Sequence, residues 1–130
     1  MNEHPVAARL RAGFAAFAAG ELWALDELFT PDVAWTIPGE TQVSGTYRGL
    51  EQVVEMLRML AELTGGTYSA DPLWTVADDE HASVAYRATG RRGDRSIDVV
   101  QVLACTVEGG RISEVIALPA DPRAFAEFWA

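Results

Sequence analysis

The feature that most constrains this chain is a change of hydrophobic period at Gly65-Gly66. Before it apolar residues recur at helical spacing, and after it they alternate as in strands. Val6, Leu10, Phe14 and Phe17 lie four, four and three residues apart, on one face of an amphipathic helix. Pro5 suits the first turn of that helix and Gly20 its C-terminal cap. Leu22, Leu25, Leu28 and Phe29 predict a second, shorter helix ended by a Thr30-Pro31-Asp32 turn. Residues 33–37 alternate like a strand that stops at Pro38-Gly39, and residues 39–49 read as a loop. Val53, Met56, Leu57, Leu60, Ala61 and Leu63 predict a third helix ending at Gly65-Gly66. Strands are then expected over 67–76 (interrupted near Pro72), 82–91, 96–107 and 111–118. Their turns fall at residues 77–80, 92–94 and 108–110. Asp121 with Pro122 starts a short last helix whose apolar face is Phe125, Phe128 and Trp129. Helices followed by four consecutive strands imply an α+β fold with an antiparallel meander and the helices on one side. Strands this long must twist, so the sheet curves and leaves a concave interior under the helices.

The 130 residues are expected to form one domain, 1–130, large enough to bury a core unaided. A net charge of −9 argues against a nucleic-acid partner and against an anionic membrane surface. The ten basic residues are all Arg, a habit of GC-rich bacterial genomes that carries no functional reading. One cysteine excludes an internal disulfide and fits a reducing compartment. The first five residues, Met1-Asn2-Glu3-His4-Pro5, lack the basic start and apolar run of a signal peptide. No stretch approaches the roughly 20 apolar residues of a membrane span, so the expected location is cytoplasmic.

Several segments resemble the SnoaL-like branch of the NTF2-like superfamily. They are Phe17-Ala18-Ala19-Gly20-Glu21-Leu22, the run from Leu28-Phe29-Thr30-Pro31 to Trp35, Gly45-Thr46-Tyr47-Arg48-Gly49, and Gly110-Arg111-Ile112-Ser113-Glu114-Val115. The ending Phe125-Ala126-Glu127-Phe128-Trp129 is similar too. The resemblance implies a cone-shaped α+β fold: a curved antiparallel sheet, three helices over its opening and a short C-terminal helix. It also implies a homodimer through the outer sheet face, and the enzyme reading below uses no cofactor. Ketosteroid isomerase, a relative, uses a carboxylate base with a Tyr and a protonated Asp as oxyanion hole. In this chain the base position falls at Ile37, the Asp near Leu103 and the Tyr near Gly13 or Phe14, so that isomerisation is not expected. The Asp–Arg–Asp grouping of limonene-type epoxide hydrolases is not visible, although Arg87 and Asp98 could imitate part of it.

The candidate catalytic residues are Asp121, Tyr86 and Gln101. Asp121 lies near where polyketide cyclases of the superfamily place an acid, and in an apolar mouth its pKa would rise enough to donate a proton. Its bland alternative is the N-cap of the last helix, which Pro122 supports. Gln101, Leu103, Cys105 and Val107 share one face of their strand, and Gln101 must find partners there: a ligand oxygen, Tyr86 or a water. Asp98, of opposite parity, should face outward and pair with an Arg. Phe14, Phe17, Trp35, Ile37, Met56, Leu60 and Leu103 are expected to line the pocket, with Tyr47 on a loop over the entrance. Arg87, Arg91, Arg92 and Arg95 are either a clamp for an anionic group or a solvated edge, Arg87 being the best placed to point inward. His4 and His81 sit at the N-terminus and in a turn, and with one cysteine give no metal spacing. Cys105 reads as a small core residue.

The reading that follows is an enzyme acting on a small apolar, oxygen-bearing molecule of polyketide or terpenoid type by acid/base isomerisation, cyclisation or hydration. The alternative is a non-catalytic binding protein with the same pocket. A third, a protein-interaction module, would have a filled cone and a broad exposed apolar patch.

Overall fold

The computed structural model describes residues 3–130. Met1 and Asn2, part of the stretch read above for a targeting segment, lie outside them. The elements in chain order are helix α1 (Pro5–Ala19), a 3-10 turn (Leu22–Glu27), strands β1 (Phe29–Ile37) and β2 (Gly45–Arg48) and helix α2 (Gly49–Leu63). Strands β3 (Ser69–Ala77), β4 (His81–Arg92), β5 (Arg95–Glu108) and β6 (Arg111–Pro119) follow, and helix α3 (Pro122–Trp129) ends the chain. The six strands form one mixed sheet in the order β2-β1-β6-β5-β4-β3. All neighbours are antiparallel except β1 and β6. The α+β class, the four-strand meander and the curved sheet are therefore as expected.

The meander forms because its turns carry the right residues. Gly109 and Gly110 have φ of 58° and 81°, the pair of positive values that a tight β5–β6 turn demands. The break foreseen near Pro72 is a bulge between Pro72 and Trp74, where β3 slips against β4.

Three local expectations fail. The second helix is only the 3-10 turn, and Phe29 already belongs to β1. Thr30-Pro31-Asp32 is not a turn but the bulged start of that strand. Between the pairs Phe29↔Ile112 and Ala34↔Glu114, β1 carries more residues than β6. Pro31, which has no N–H to give, is tolerated where the ladder is interrupted. The segment 39–49 contains β2, whose four residues pair with Ala34 to Ile37 along the sheet edge.

Parity sorts the sheet into two faces. Gln101, Leu103, Cys105 and Val107 point inward, as expected, with Val84, Tyr86 and Ala88 beside them on β4. The helices close over this face, α1 against β3, α2 against β1 and α3 against β5. Gly13 lets α1 come close: a Cβ there would stand 2.7 Å from Leu28 Cδ2. No helix among the described residues is long and apolar enough to cross a membrane.

Candidate ligand cavity

The cone is not filled. Its outer lobe offers about 70 Å³ to the centre of a water-sized sphere, and its inner lobe about 20 Å³. A site needs roughly 10–15 Å³ by that measure to hold one water, so the outer lobe has room for a small molecule and the inner lobe for about one water. Apolar groups from α1, the 3-10 turn, α2 and the sheet line the outer lobe, among them Phe14, Phe17, Leu28, Leu60 and Leu103. Ile37, Met56, Gln101, Ala117, Phe125 and Trp129 line the inner lobe, so α3 closes the narrow end. Trp35, Leu60, Tyr68 and Tyr86 border both lobes and form a waist between them. A surface groove shares Phe17, Leu57, Tyr68 and Ala70 with the outer lobe, which puts the entrance between the C-terminal ends of α1 and α2 and the start of β3.

The polar groups of the cavity gather at the waist. Trp35 projects inward from β1, opposite Val115 of β6, and its ring meets Phe29 edge-on at 5.9 Å. Its Nε1 is buried and has no hydrogen-bond partner. The Tyr86 and Tyr68 hydroxyls share a hydrogen bond. Burial pushes Tyr68 up to about 12, against a smaller lowering by that hydrogen bond. Burial and the neighbouring Tyr68 hold Tyr86 well above the ordinary phenol range. Gln101, 2% exposed, stands directly across from Tyr86 in the β4–β5 ladder. Burial also raises the Cys105 thiol to about 12, so a thiolate is disfavoured there. Among the described residues, no carboxylate, histidine or arginine lines either lobe.

Of the residues singled out from the sequence, Phe14, Phe17, Trp35, Ile37, Met56, Leu60, Tyr86, Gln101 and Leu103 stand on the cavity wall. Three do not. Asp121 is exposed and caps α3, accepting from Ala124 N at 3.0 Å, because the backbone amides of the first turn need that oxygen more than an apolar mouth does. Arg87 is on the outer face, where its Nε and Nη2 meet the carboxylate of Asp98 at 2.7 and 2.6 Å. Its odd position on β4 turns it away from the even-numbered, inward side that holds Tyr86. Tyr47 is on β2 instead of a loop, and its hydroxyl donates to the Val43 carbonyl at 2.7 Å. It borders a separate groove beside α2, away from the entrance.

Tyr68, at the waist, is not among the residues singled out from the sequence. The available signal was its even spacing from Ala70, which continues β3's inner face. The cluster of Arg residues has a structural use as well. Arg92 Nη1 donates to the Phe128 carbonyl at 2.7 Å and Arg95 Nη1 to that of Ala130 at 3.2 Å, and the Arg92 guanidinium lies 5.7 Å from the Trp129 ring. No group of three or more His, Cys, Asp or Glu among the described residues could hold a metal ion.

An open curved sheet with helices across its mouth and a cavity at its centre defines the NTF2-like class. The chain belongs to the SnoaL-like domain family, which it matches over residues 10–115. It is 34% identical over 122 residues to an uncharacterised protein of Mycobacterium tuberculosis (strain H37Rv), covering 93% of each chain. It is similar to Bal32a from a soil-derived mobile gene cassette, with 30% identity, a TM-score of 0.91 and 97% of both chains covered. An NTF2-like protein of Burkholderia xenovorans gives 26% identity and a TM-score of 0.82 over 100% of this chain and 99% of that one. A putative polyketide cyclase of Sinorhizobium meliloti shares the fold at 22% identity and a TM-score of 0.69, over 84% of this chain and 92% of that one.

Proposed function

We propose that this protein binds a small, largely apolar molecule in the cone. The observation that carries this reading is a cavity with room for a ligand, walled by apolar side chains and lacking any group that ionises near neutral pH. A general base or acid works best with a pKa near the operating pH, and the cavity's phenols and thiol stay neutral there. Binding is thus better supported than acid/base turnover. An apolar cavity of this kind gains little from water and much from a fitting apolar guest.

The competing reading is an isomerase or cyclase working on a polyketide- or terpenoid-like compound. It is favoured by one feature, the Tyr86–Tyr68 pair, which could polarise a ligand oxygen by hydrogen bonding. The fold shared with putative cyclases does not decide between the two, since one fold hosts many activities.

Toluene tests the cavity. A ligand at about 100 times its Kd stabilises by about 2.7 kcal/mol, so the melting temperature should rise by several degrees. Ala70→Phe, at the entrance, should abolish that rise while the protein stays folded by circular dichroism. If toluene has no effect on the wild-type protein, the reading is wrong. Turnover of a later-identified ligand that is lost in Tyr68→Phe, with binding kept, would favour the enzyme instead.

We further propose a homodimer through the outer sheet face, where exposed apolar residues gather on several strands. Its test is the oligomeric state in solution, taken up in the Discussion.

A further inference from the structure

The waist of the cavity carries more information than its shape. Four residues border both lobes, and three of them bear polar hydrogens: Trp35, Tyr68 and Tyr86. Trp35 Nε1 is sealed from solvent without an acceptor, a condition that costs free energy unless something accepts from it. Thr30 Oγ1 is in the same condition but lies in the bulged start of β1, outside the cavity wall. The hydrogen bond between Tyr86 and Tyr68 uses one of their two phenolic protons and leaves the other to be given elsewhere. Gln101, next to Tyr86 on the inner face, adds an amide that can donate or accept. The waist therefore holds one buried donor with no acceptor, Trp35 Nε1–H, beside a phenolic proton still free to give.

Charge narrows the partner. A carboxylate or phosphate brought into this cavity would find no cation on its walls and would lose its hydration uncompensated. A neutral acceptor carries no such penalty. Resting on the binding reading above, we propose that the waist is a subsite for one neutral carbonyl oxygen, as in a ketone, aldehyde or quinone. Trp35 Nε1–H donates to that oxygen with the phenolic O–H left over from the Tyr68–Tyr86 pair as its second donor, while the ligand's apolar body fills the outer lobe.

A matched pair of probes isolates the oxygen. Acetophenone and α-methylstyrene have the same outline, with C=O in one where the other has C=CH2. Both should bind, and acetophenone about five- to tenfold more tightly, the worth of a buried hydrogen bond. The chain has four tryptophans, so the indole N–H region of a 1H–15N spectrum is simple, and Trp35→Phe identifies the Trp35 resonance. Acetophenone should move that resonance downfield and α-methylstyrene should leave it near its free position. Trp35→Phe should erase the preference for the ketone. Tyr68→Phe, which keeps the ring and removes only the hydroxyl, should reduce it about twofold and guards against a Trp35 variant that fails to fold. Equal binding of the two probes with an unmoved Trp35 resonance would overturn the carbonyl subsite and leave the cavity reading intact. Failure of both probes to bind would overturn the cavity reading and the subsite with it.

Discussion

Tyr68 and Tyr86 are phenols held where ionisation is disfavoured, and that has a consequence for stability. Burial raises both above the ordinary value of 10.0, Tyr68 to about 12. A group whose folded pKa exceeds its unfolded value contributes stability that is complete below the unfolded pKa. That stability is lost as pH rises through the folded pKa. The fold should thus weaken between about pH 10 and 12, and the buried phenols should ionise only as it opens. A spectrophotometric titration of tyrosinate absorbance, run beside circular dichroism, checks this. The tyrosinate rise of the wild type should coincide with unfolding, and Tyr68→Phe should shrink that step. Exposed Asp78 and Asp98 act in the opposite sense. Backbone amides of Glu80 and His81 hold Asp78 low, and Arg87 does the same for Asp98, so their contribution disappears on acidification below the usual carboxylate range. The Arg87–Asp98 pair is solvated on both sides and adds little to the fold.

At the scale of elements, α3 shows how a short helix is kept in place. Its last carbonyls have no intrahelical partners and would otherwise face water or nothing. Arg92 takes the Phe128 carbonyl, Gln42 N takes that of Trp129 at 3.1 Å, and Arg95 takes that of Ala130. The β4–β5 hairpin thereby clasps the helix whose Phe125 and Trp129 wall the inner lobe. Arg92→Ala removes its bonds to the Phe128 and Ala130 carbonyls and to Gln42 Oε1, and one cation–π contact with Trp129, a loss of about 2 kcal/mol for a partly solvated group. Thermal denaturation should register a loss of several degrees, whereas Arg91→Ala on the same strand should cost almost nothing. Sequence patterning foretold the strands of this hairpin to within a residue or two, because period-2 alternation and glycine turns are local signals. It also placed Gln101, Leu103 and Cys105 on the inner face by parity alone. β2 and the start of β1 were illegible for a physical reason. Their partners are remote or irregular, β1 pairing in parallel with a strand some 80 residues away, and Pro31 reads locally as a breaker. Sequence alone left Asp121 and Arg87 open between two roles because an exposed cap and an outward ion pair use the same residue types as a catalytic acid and an anion clamp.

On the whole molecule, the two faces of the sheet have different fates. The inner face is covered by three helices, and no described element covers the outer one. A sheet with one solvated face should alternate apolar-in and polar-out. Here the outward positions include Trp74, Val76, Val100, Ile116 and Leu118, exposed by 50, 57, 39, 38 and 46%. The register aligns them into rows that cross the sheet: Trp74, Ala85, Val102 and Leu118 in one, Val76, Ser83, Ala104 and Ile116 in the next. The four strands that carry these rows, β3 to β6, are 9, 12, 14 and 9 residues long, and at about 4.8 Å between strands and about 3.3 Å per residue they present a face of roughly 700 Å² in projection. That is of the order of the roughly 800 Å² per partner of a standard stable interface. A second copy of the same face is the natural cover, since an isologous contact matches apolar rows to apolar rows while the neutral Arg87–Asp98 pair stays at the side. Sedimentation equilibrium should therefore give twice the 14.1 kDa chain mass. Ile116→Glu with Leu118→Glu puts two carboxylates in the middle of each face and four in the assembled interface, which should drop the mass to one chain. Both positions are outward and half-solvated, so the folded spectrum and toluene binding should survive. A wild-type protein sedimenting as a single chain across the micromolar range would show that the outer face is left bare or serves another partner.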